Sequence, residues 1–346
     1  MAKIQLNDSK HLSDFGKPYI VAEVNTSHFG DVELAKKMIF KAKEVGCDCV
    51  KFQSWSVDTL YSKSYYNENP IAKRFVKKFS FAKNELKELS DFCSKNQISF
   101  SSTPYSRAEV DFLVELGNVP YLKVASMDLN NYAYLRYIAK YGMPIILSTG
   151  MSQMDEIRNA VSVIEEEGNK RLCLLHCVSI YPPEIDTIRL NNILGLRDQF
   201  PDYPIGFSDH TLGVEVPSAA IALGACMIEK HFTLDKTKIG MDNQMALEPE
   251  EMSQLVKYCN NVHKAIGGKE RIIFQAEMEQ KKLMRRSVVS SKDLKAGEKL
   301  VKADLDVKRP GTGFAPSKLN DLIGRTLIRD VEKDILITEE DLKGDK

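Results

Sequence analysis

Between residues 17 and about 268 the chain repeats one alternation: a short apolar, β-branched run, then an amphipathic stretch. Eight such runs can be counted: PYIVAE (18–23), CDCVKFQ (47–53), ISFSSTP (98–104), YLKVAS (121–126), PIILSTG (144–150), LCLLHCVS (172–179), IGFSD (205–209) and CMIEKHF (226–232). The stretches between them carry apolar residues at helical spacing, as Leu34, Met38, Ile39, Ala42 and Val45 do within 31–46. Further helical patterns lie at 84–96, 152–168, 216–225 and 248–268, and Ser152, followed by Asp155 and Glu156, reads as the N-cap of its helix. Strands that alternate with helices must pair in parallel, because each helix carries the chain back to the start of the next strand. Eight units predict an α/β fold of the (β/α)8 TIM-barrel type. A doubly wound open sheet would need fewer units or a Gly-rich phosphate loop after the first strand, and AEVNTSHFG is no such loop.

The texture changes after this region. Residues 269–286 are charged and helix-prone and read as a linker, and 287–346 hold short β-like pieces separated by turn residues. This tail repeats itself with an offset of 37 residues: Asp293-Leu294, Leu300 and Asp304-Leu305 are matched by Asp330-Val331, Ile337 and Asp341-Leu342. The expected organisation is a barrel over 1–268, a linker over 269–286, and a small β-rich domain over 287–346 with internal pseudo-symmetry.

Lys plus Arg equals Asp plus Glu, 48 each. That balance argues against a nucleic-acid partner, whose binding domains carry a basic excess. It leaves room for a local cluster that holds a small anion. No window approaches about 20 uninterrupted apolar residues, and the N-terminus lacks the apolar core of a signal peptide. Seven cysteines sit mostly inside apolar runs without a CxxC pair, as small buried hydrophobes do in a reducing cytoplasm. The expectation is therefore a cytoplasmic protein with no membrane partner.

Active sites of such barrels are built at the C-terminal ends of the strands, and here those ends are polar. Four of the six histidines, His28, His176, His210 and His231, fall at or just beyond them. Lys51 and Lys123 stand inside otherwise apolar strands, where an ammonium is costly unless an anion pairs with it. Gln53 shares a face with Lys51, and the hydroxyls of Thr103, Ser126, Ser179 and Ser208 can donate to the same anion. His210 and His231 come from successive runs and suit a divalent ion with open positions, Mn, Fe, Co or Zn before Mg. Glu23 and Asp242 are candidates for acid/base work or for holding sugar hydroxyls.

Taken together, VKFQ, FSSTPYSR, YLKVAS, PIILSTGM, LLHCVSIYP, IGFSDHTLG, EKHFTLD and the tail's KRPGTG make the chain similar to the N-acetylneuraminate (sialic acid) synthase family. These are nonulosonic acid synthases with a barrel and a C-terminal SAF (antifreeze-like) domain. The resemblance implies condensation of phosphoenolpyruvate with an N-acetylmannosamine-type aldose, giving a nine-carbon 2-keto sugar acid and phosphate. It implies Mn²⁺, with Mg²⁺ or Co²⁺ as alternatives, on His210 and His231. It places phosphoenolpyruvate against Lys51, Thr103, Lys123, Ser126 and Ser208, and the sugar against Glu23, Gln53, Tyr181 and Asp242. Arg309 resembles an SAF-domain arginine that enters the partner's site in a domain-swapped homodimer.

The chain departs from the family pattern at Asn25-Thr26-Ser27 after the first strand, at Ser179 in place of an asparagine, at Asp128 in place of a glutamate, and at Asn243, where a histidine is lost. These changes leave the acceptor open among sialic, legionaminic and pseudaminic types. Two other readings stand beside this one. A condensing barrel for a phosphorylated or non-acylated aldose would need a further basic cluster, with Arg107 and Lys236 as candidates. A non-catalytic carbohydrate-binding protein would need neither the lysine pair nor the histidine pair.

Overall fold

Each of the eight runs is a strand in the structure, a computed structural model describing residues 1–344. A hairpin precedes them, β1 (Lys3–Gln5) against β2 (His11–Ser13), paired Ile4 to Leu12. The eight are β3 (Tyr19–Glu23), β4 (Cys49–Ser54), β5 (Ser99–Pro104), β6 (Leu122–Val124), β7 (Ile145–Ser148), β8 (Leu172–Cys177), β9 (Ile205–Asp209) and β10 (Met227–His231). They form one parallel sheet in the order β5-β4-β3-β10-β9-β8-β7-β6, and β5 runs beside β6 without a ladder, so the barrel is nearly closed.

The two faces of this sheet explain why the strands read as unbroken apolar runs. Ile20, Ala22, Val50, Phe52, Leu174 and Phe207 point outward into the layer shared with the helices. Tyr19, Val21, Cys49, Ile146, Leu175 and Met227 point inward and pack with Ile4, Leu6 and Leu12 of the N-terminal hairpin. Both faces are buried, so neither tolerates a polar residue without a partner. The hairpin, which the sequence reading did not foresee, therefore fills the end of the barrel at which the strands begin. Its loop is tied down by Asp8, which accepts from Tyr19 Oη at 3.0 Å and Ser99 Oγ at 2.7 Å.

The helices follow the expected periodicity, with one correction. Ser152 does not cap the helix Met154–Glu166: its hydroxyl donates back to the Gly150 carbonyl at 3.2 Å, and Gln153 is the N-cap. The orphan Gln153 N–H is met instead by Glu156 Oε2 at 2.8 Å, half of a capping box. The helix-prone stretch 269–286 does contain a helix, Gln275–Met284, none of whose residues is buried. Three further helices, Val57–Leu60, Lys63–Glu68 and Pro70–Phe79, make an excursion after β4 that the sequence reading left undescribed.

The chain forms two compact units that divide between Gly267 and Gly268. Within the second, β11 (Ser287–Ser290) pairs antiparallel with β12 (Leu305–Lys308) over a core that includes Val288, Leu300, Leu327 and Ile337. The 37-residue echo is a structural fact. Leu294 and Val331 exchange N–H···O bonds at 2.8 and 3.0 Å. Asp293 accepts from the Lys333 amide and Asp330 from the Ala296 amide, at 2.8 and 2.9 Å. Each half thus caps the other, which is why the same residues recur at the same spacing. Asp345 and Lys346, the end of the predicted tail domain, lie outside the described residues.

Candidate active site

Strand parity decides which polar residues face the barrel's interior. Counting by twos from the inward residues brings Glu23, Lys51, Gln53, Thr103, Lys123, Ser148, Cys177, Ser208, Glu229 and His231 to one cleft of about 400 Å³ at the strands' C-terminal ends. Ser126, Ser179, Tyr181, His210 and Asp242 join it from the loops that follow. Twelve of the thirteen site residues expected from sequence therefore line one cavity. Arg309 is exposed in the second unit.

Two of the four histidines lie outside the cleft. His176 faces outward, stacks on Phe207 and bonds the Ile188 carbonyl at 2.7 Å. His28 stacks on Phe81 at 4.1 Å, accepts the Gly30 N–H, and is held neutral by burial, at about 3. Lys230 also points outward, onto Asp209 at 2.6 Å. Neither candidate for a distal phosphate reaches the cleft. Arg107 lies over the Tyr137 ring at 5.0 Å, and Lys236 pairs with Glu251 at 2.6 Å.

At the floor, the lysines already have anions. Lys51 Nζ bridges Glu23 at 2.6 Å and Glu229 at 3.2 Å and donates to Thr103 at 3.1 Å. Lys123 donates to Ser148 Oγ at 2.6 Å and stands 4.0 Å from Glu229, which also accepts from Ser208 at 3.0 Å. Glu229, to which the sequence reading assigned no role, is thus the centre of the floor. It lies on the inward face two residues before His231, and that spacing was its only sequence signal. Burial alone would raise the Glu229 carboxyl, but Lys123 and Lys51 outweigh it and keep it ionised. Glu23 differs: burial, joined by the charge of Glu229 and opposed by Lys51, pushes it to about 7. Burial likewise works against charge on Lys51, but Glu229 and Glu23 outweigh it, and the ammonium stays charged. Burial lowers Lys123.

Beside the lysines, the loop after β7 comes close. Gly150 N–H donates to Ser126 Oγ at 3.0 Å. A Cβ at Gly150 would lie 2.3 Å from Ser179 Oγ and 2.8 Å from Ser126 Oγ, so only glycine lets both hydroxyls share this spot.

Across the cleft the His210 and His231 rings lie 5.4 Å apart. His210 Nδ1 contacts the Val178 carbonyl at 2.7 Å, and His231 Nδ1 contacts Asp242 Oδ2 at 3.2 Å. Both partners can only accept, so each Nδ1 carries the proton and each Nε2 keeps a lone pair. Burial holds the His231 ring neutral. This donor set fits a divalent ion: two imidazole nitrogens, oriented from behind by a carbonyl and a carboxylate. Among the described residues no group of three His, Cys, Asp or Glu gathers into a metal cluster. Tyr181 closes this side, its ring 4.1 Å from that of His210. The excursion after β4 supplies an apolar rim through Leu60, Tyr61 and Val76.

Residues 38–271 match the NeuB family, and residues 285–343 match the SAF domain. The chain is 37% identical over 322 residues to N,N'-diacetyllegionaminic acid synthase of Legionella pneumophila, spanning 89% of this chain and 90% of that protein. It is 34% identical over 335 residues to N-acetylneuraminate-9-phosphate synthase of Mus musculus, spanning 94% and 93%. Among solved structures, the N-acetylneuraminic acid (sialic acid) synthetase of Leptospira borgpetersenii superposes with a TM-score of 0.74 at 33% identity, over 81% of this chain and 96% of that one. No helix among the described residues is long and apolar enough to cross a membrane.

Proposed function

Since the chain belongs to the NeuB family and carries a C-terminal SAF domain, we propose that it is a nonulosonic acid synthase. It condenses phosphoenolpyruvate and an N-acetylmannosamine-type aldose, with water, into a nine-carbon 2-keto sugar acid and inorganic phosphate. The observation that carries this reading is the convergence of Lys51 and Lys123 with His210 and His231 on one cleft at the strands' C-terminal ends. Binding a sugar alone requires neither buried ammonium groups nor a paired imidazole site.

In this reading the phosphoenolpyruvate anion lies over the floor, held by Lys51, Lys123 and the hydroxyls of Thr103, Ser126, Ser179 and Ser208. With both carboxylates ionised, Glu23 and Glu229 would cancel the two lysines. A proton on Glu23 leaves the floor one positive charge in excess, and its position near 7 makes that proton cheap. His210 and His231 would hold a divalent ion, Mn²⁺ by the resemblance to the family, with Mg²⁺ or Co²⁺ as alternatives. When bound, such an ion supplies a Lewis acid for the aldehyde carbonyl of the open-chain sugar. Gln53, Tyr181 and Asp242 face the sugar, and Glu23 is placed to exchange a proton there. The bond formed joins C3 of phosphoenolpyruvate to the aldehyde carbon; water adds at C2, and phosphate leaves from the same carbon.

Arg309 belongs to the same proposal as a residue given to the partner's cleft in a swapped homodimer. Two features support this. The guanidinium is exposed in its own chain, and the neighbouring helix Gln275–Met284 leaves Phe274 at 73% and Leu283 at 63% exposure, apolar area that a second copy would cover. A phosphorylated acceptor is the weaker reading, because Arg107 and Lys236 are engaged elsewhere.

The test is to incubate the protein with phosphoenolpyruvate, Mn²⁺ and a panel of 2-acetamido aldoses and to measure phosphate release. Release that depends on the aldose and is abolished by excess EDTA is the expected result. Aldose-independent release refutes the synthase reading, and full activity in EDTA refutes the ion.

A further inference from the structure

Asn25 lines the cleft in a backbone conformation that few side chains favour. It lies two residues beyond β3 at φ 33°, in the left-handed region where glycine is at ease and asparagine is one of the few side chains tolerated. It is 7% exposed, and its Oδ1 is buried without a hydrogen-bond partner. Both features work against folding, and a backbone outlier of this kind points to a role that compensates for it.

What the conformation achieves is a link between two loops separated by 217 residues. The Asn25 amide Nδ2 donates to Asp242 Oδ2, and the backbone N–H donates to Glu23 Oε1 at 2.7 Å. That same Asp242 Oδ2 lies 3.2 Å from His231 Nδ1. The other Asp242 oxygen has only a long contact, 3.4 Å, from Thr26 Oγ1. Without Asn25 the carboxylate that orients His231 would keep one weak tether on the loop after β3.

We infer that Asn25 is a positioning residue for the ion-holding end of the site: its amide fixes Asp242, and Asp242 fixes the His231 ring with Nε2 toward the cleft. The inference rests on the reading of His210 and His231 as ion ligands. In this assignment Asn25 is not an ion ligand and acts through Asp242. Outer partners of metal-bound imidazoles act this way in general, by setting tautomer and ring orientation.

The variant to make is Asn25→Gly, which removes the amide while suiting the local φ, so the fold is expected to persist. Metal-stripped protein is titrated with Mn²⁺, and free Mn²⁺ is followed by electron paramagnetic resonance, beside melting temperature and KM for each substrate. Mn²⁺ binding is expected to weaken by roughly 10- to 100-fold, with the melting temperature and the KM for phosphoenolpyruvate little changed. Asp242→Asn should weaken Mn²⁺ binding as well, and the double variant should lose no more than the worse single one, because both act through one contact. If Asn25→Gly does not fold, Asn25→Ser, too short to reach Asp242, takes its place under the same criterion. A lowered melting temperature with Mn²⁺ affinity within threefold of wild type overturns the inference, and so do additive losses in the double variant. Wild-type protein that fails to bind Mn²⁺ overturns it together with the ion reading; wild-type binding with an indifferent Asn25→Gly overturns it alone.

Discussion

Replacing Lys51 with methionine separates what the buried cation does for the fold from what it does for the substrate. Lys51 is 3% exposed and bridges two carboxylates, at 2.6 and 3.2 Å. Stripping one member from a buried ion pair ordinarily costs about 3–5 kcal/mol. Here Glu23 offers an escape, because it is already pushed to about 7 and loses its main counter-charge in the variant. At neutral pH it takes a proton for less than about 1 kcal/mol, given about 1.4 kcal/mol per pKa unit. Lys51→Met should therefore lose no more than about 2 kcal/mol of stability. Substrate binding has no such escape. One charge about 4 Å from an anion is worth about 4 kcal/mol at an effective dielectric near 20. If Lys123 and the hydroxyls recover half of that, the KM for phosphoenolpyruvate still rises by roughly 30-fold, and otherwise by up to about 1000-fold. Lys230→Met is the control. Lys230 is 1% exposed and pairs with Asp209 at 2.6 Å, but it points away from the cleft. That variant should lose the full 3–5 kcal/mol or so. Steady-state phosphate release and urea unfolding of both variants give the four numbers required. A Lys51→Met enzyme whose KM for phosphoenolpyruvate stays within threefold of wild type refutes the assignment of the floor.

Two further outcomes follow from the same geometry. Glu23 carries its proton below about pH 7 and loses it above, so phosphoenolpyruvate affinity should fall as pH rises from roughly 7 to 8. Glu23→Gln, which stays neutral, should hold that KM flat, and an unchanged pH slope in the variant removes Glu23 from the effect. Arg309→Ala should raise KM for an N-acylated aldose about tenfold, the worth of one charged hydrogen bond, and leave phosphoenolpyruvate nearly unaffected. Mixing Arg309→Ala and His231→Ala subunits should restore the wild-type KM for the aldose at about a quarter of the sites, since random exchange in a two-fold dimer recreates one intact site in half the dimers. Mixtures whose phosphate release at low aldose stays at the mean of the two parents contradict the swapped site.

The barrel was legible because both faces of its sheet are buried, so each strand is an apolar run bounded by polar ends. Within those runs the exceptions carried the site: a lysine at 51 or 123 has no reason to be there except an anion. The parity that puts Gln53 on the face of Lys51 also sorts the ends of the other strands. His176 and His231 both end strands, but only the second lies on the inward face, counted by twos from Met227. The same count puts Glu229 inside and Lys230 outside, and so finds the floor carboxylate that was overlooked. The rest was not accessible by any count. Asn25 and Asp242 meet across 217 residues, and the hairpin β1–β2 closes the barrel through residues whose pattern is too short to distinguish from a loop. The helical excursion after β4 takes its meaning from the cleft it walls. The tail echo was legible because each half satisfies the other's backbone.

The equality of 48 cations and 48 anions has a local counterpart at the cleft floor, and the two differ in consequence. On the surface a balanced total merely withholds a field from polyanions. Inside, two lysines against two carboxylates form a set in which every charge is buried and each depends on the others. Such a set is stable without substrate, because no lysine is left unpaired, and for the same reason it is poorly disposed toward a further anion. The conflict is resolved by making one carboxylate weak. Glu229 lies between both lysines and stays ionised, whereas Glu23 meets only Lys51 and sits where a proton costs little. Binding the anion should then be accompanied by proton uptake at Glu23 near neutral pH, measurable as a buffer-dependent heat in calorimetry. At pH 8 the uptake should approach one proton per phosphoenolpyruvate bound, and Glu23→Gln should abolish it. Binding with no proton exchange would mean that the substrate displaces a carboxylate from Lys51 instead, which would place Glu23 outside the anion site altogether.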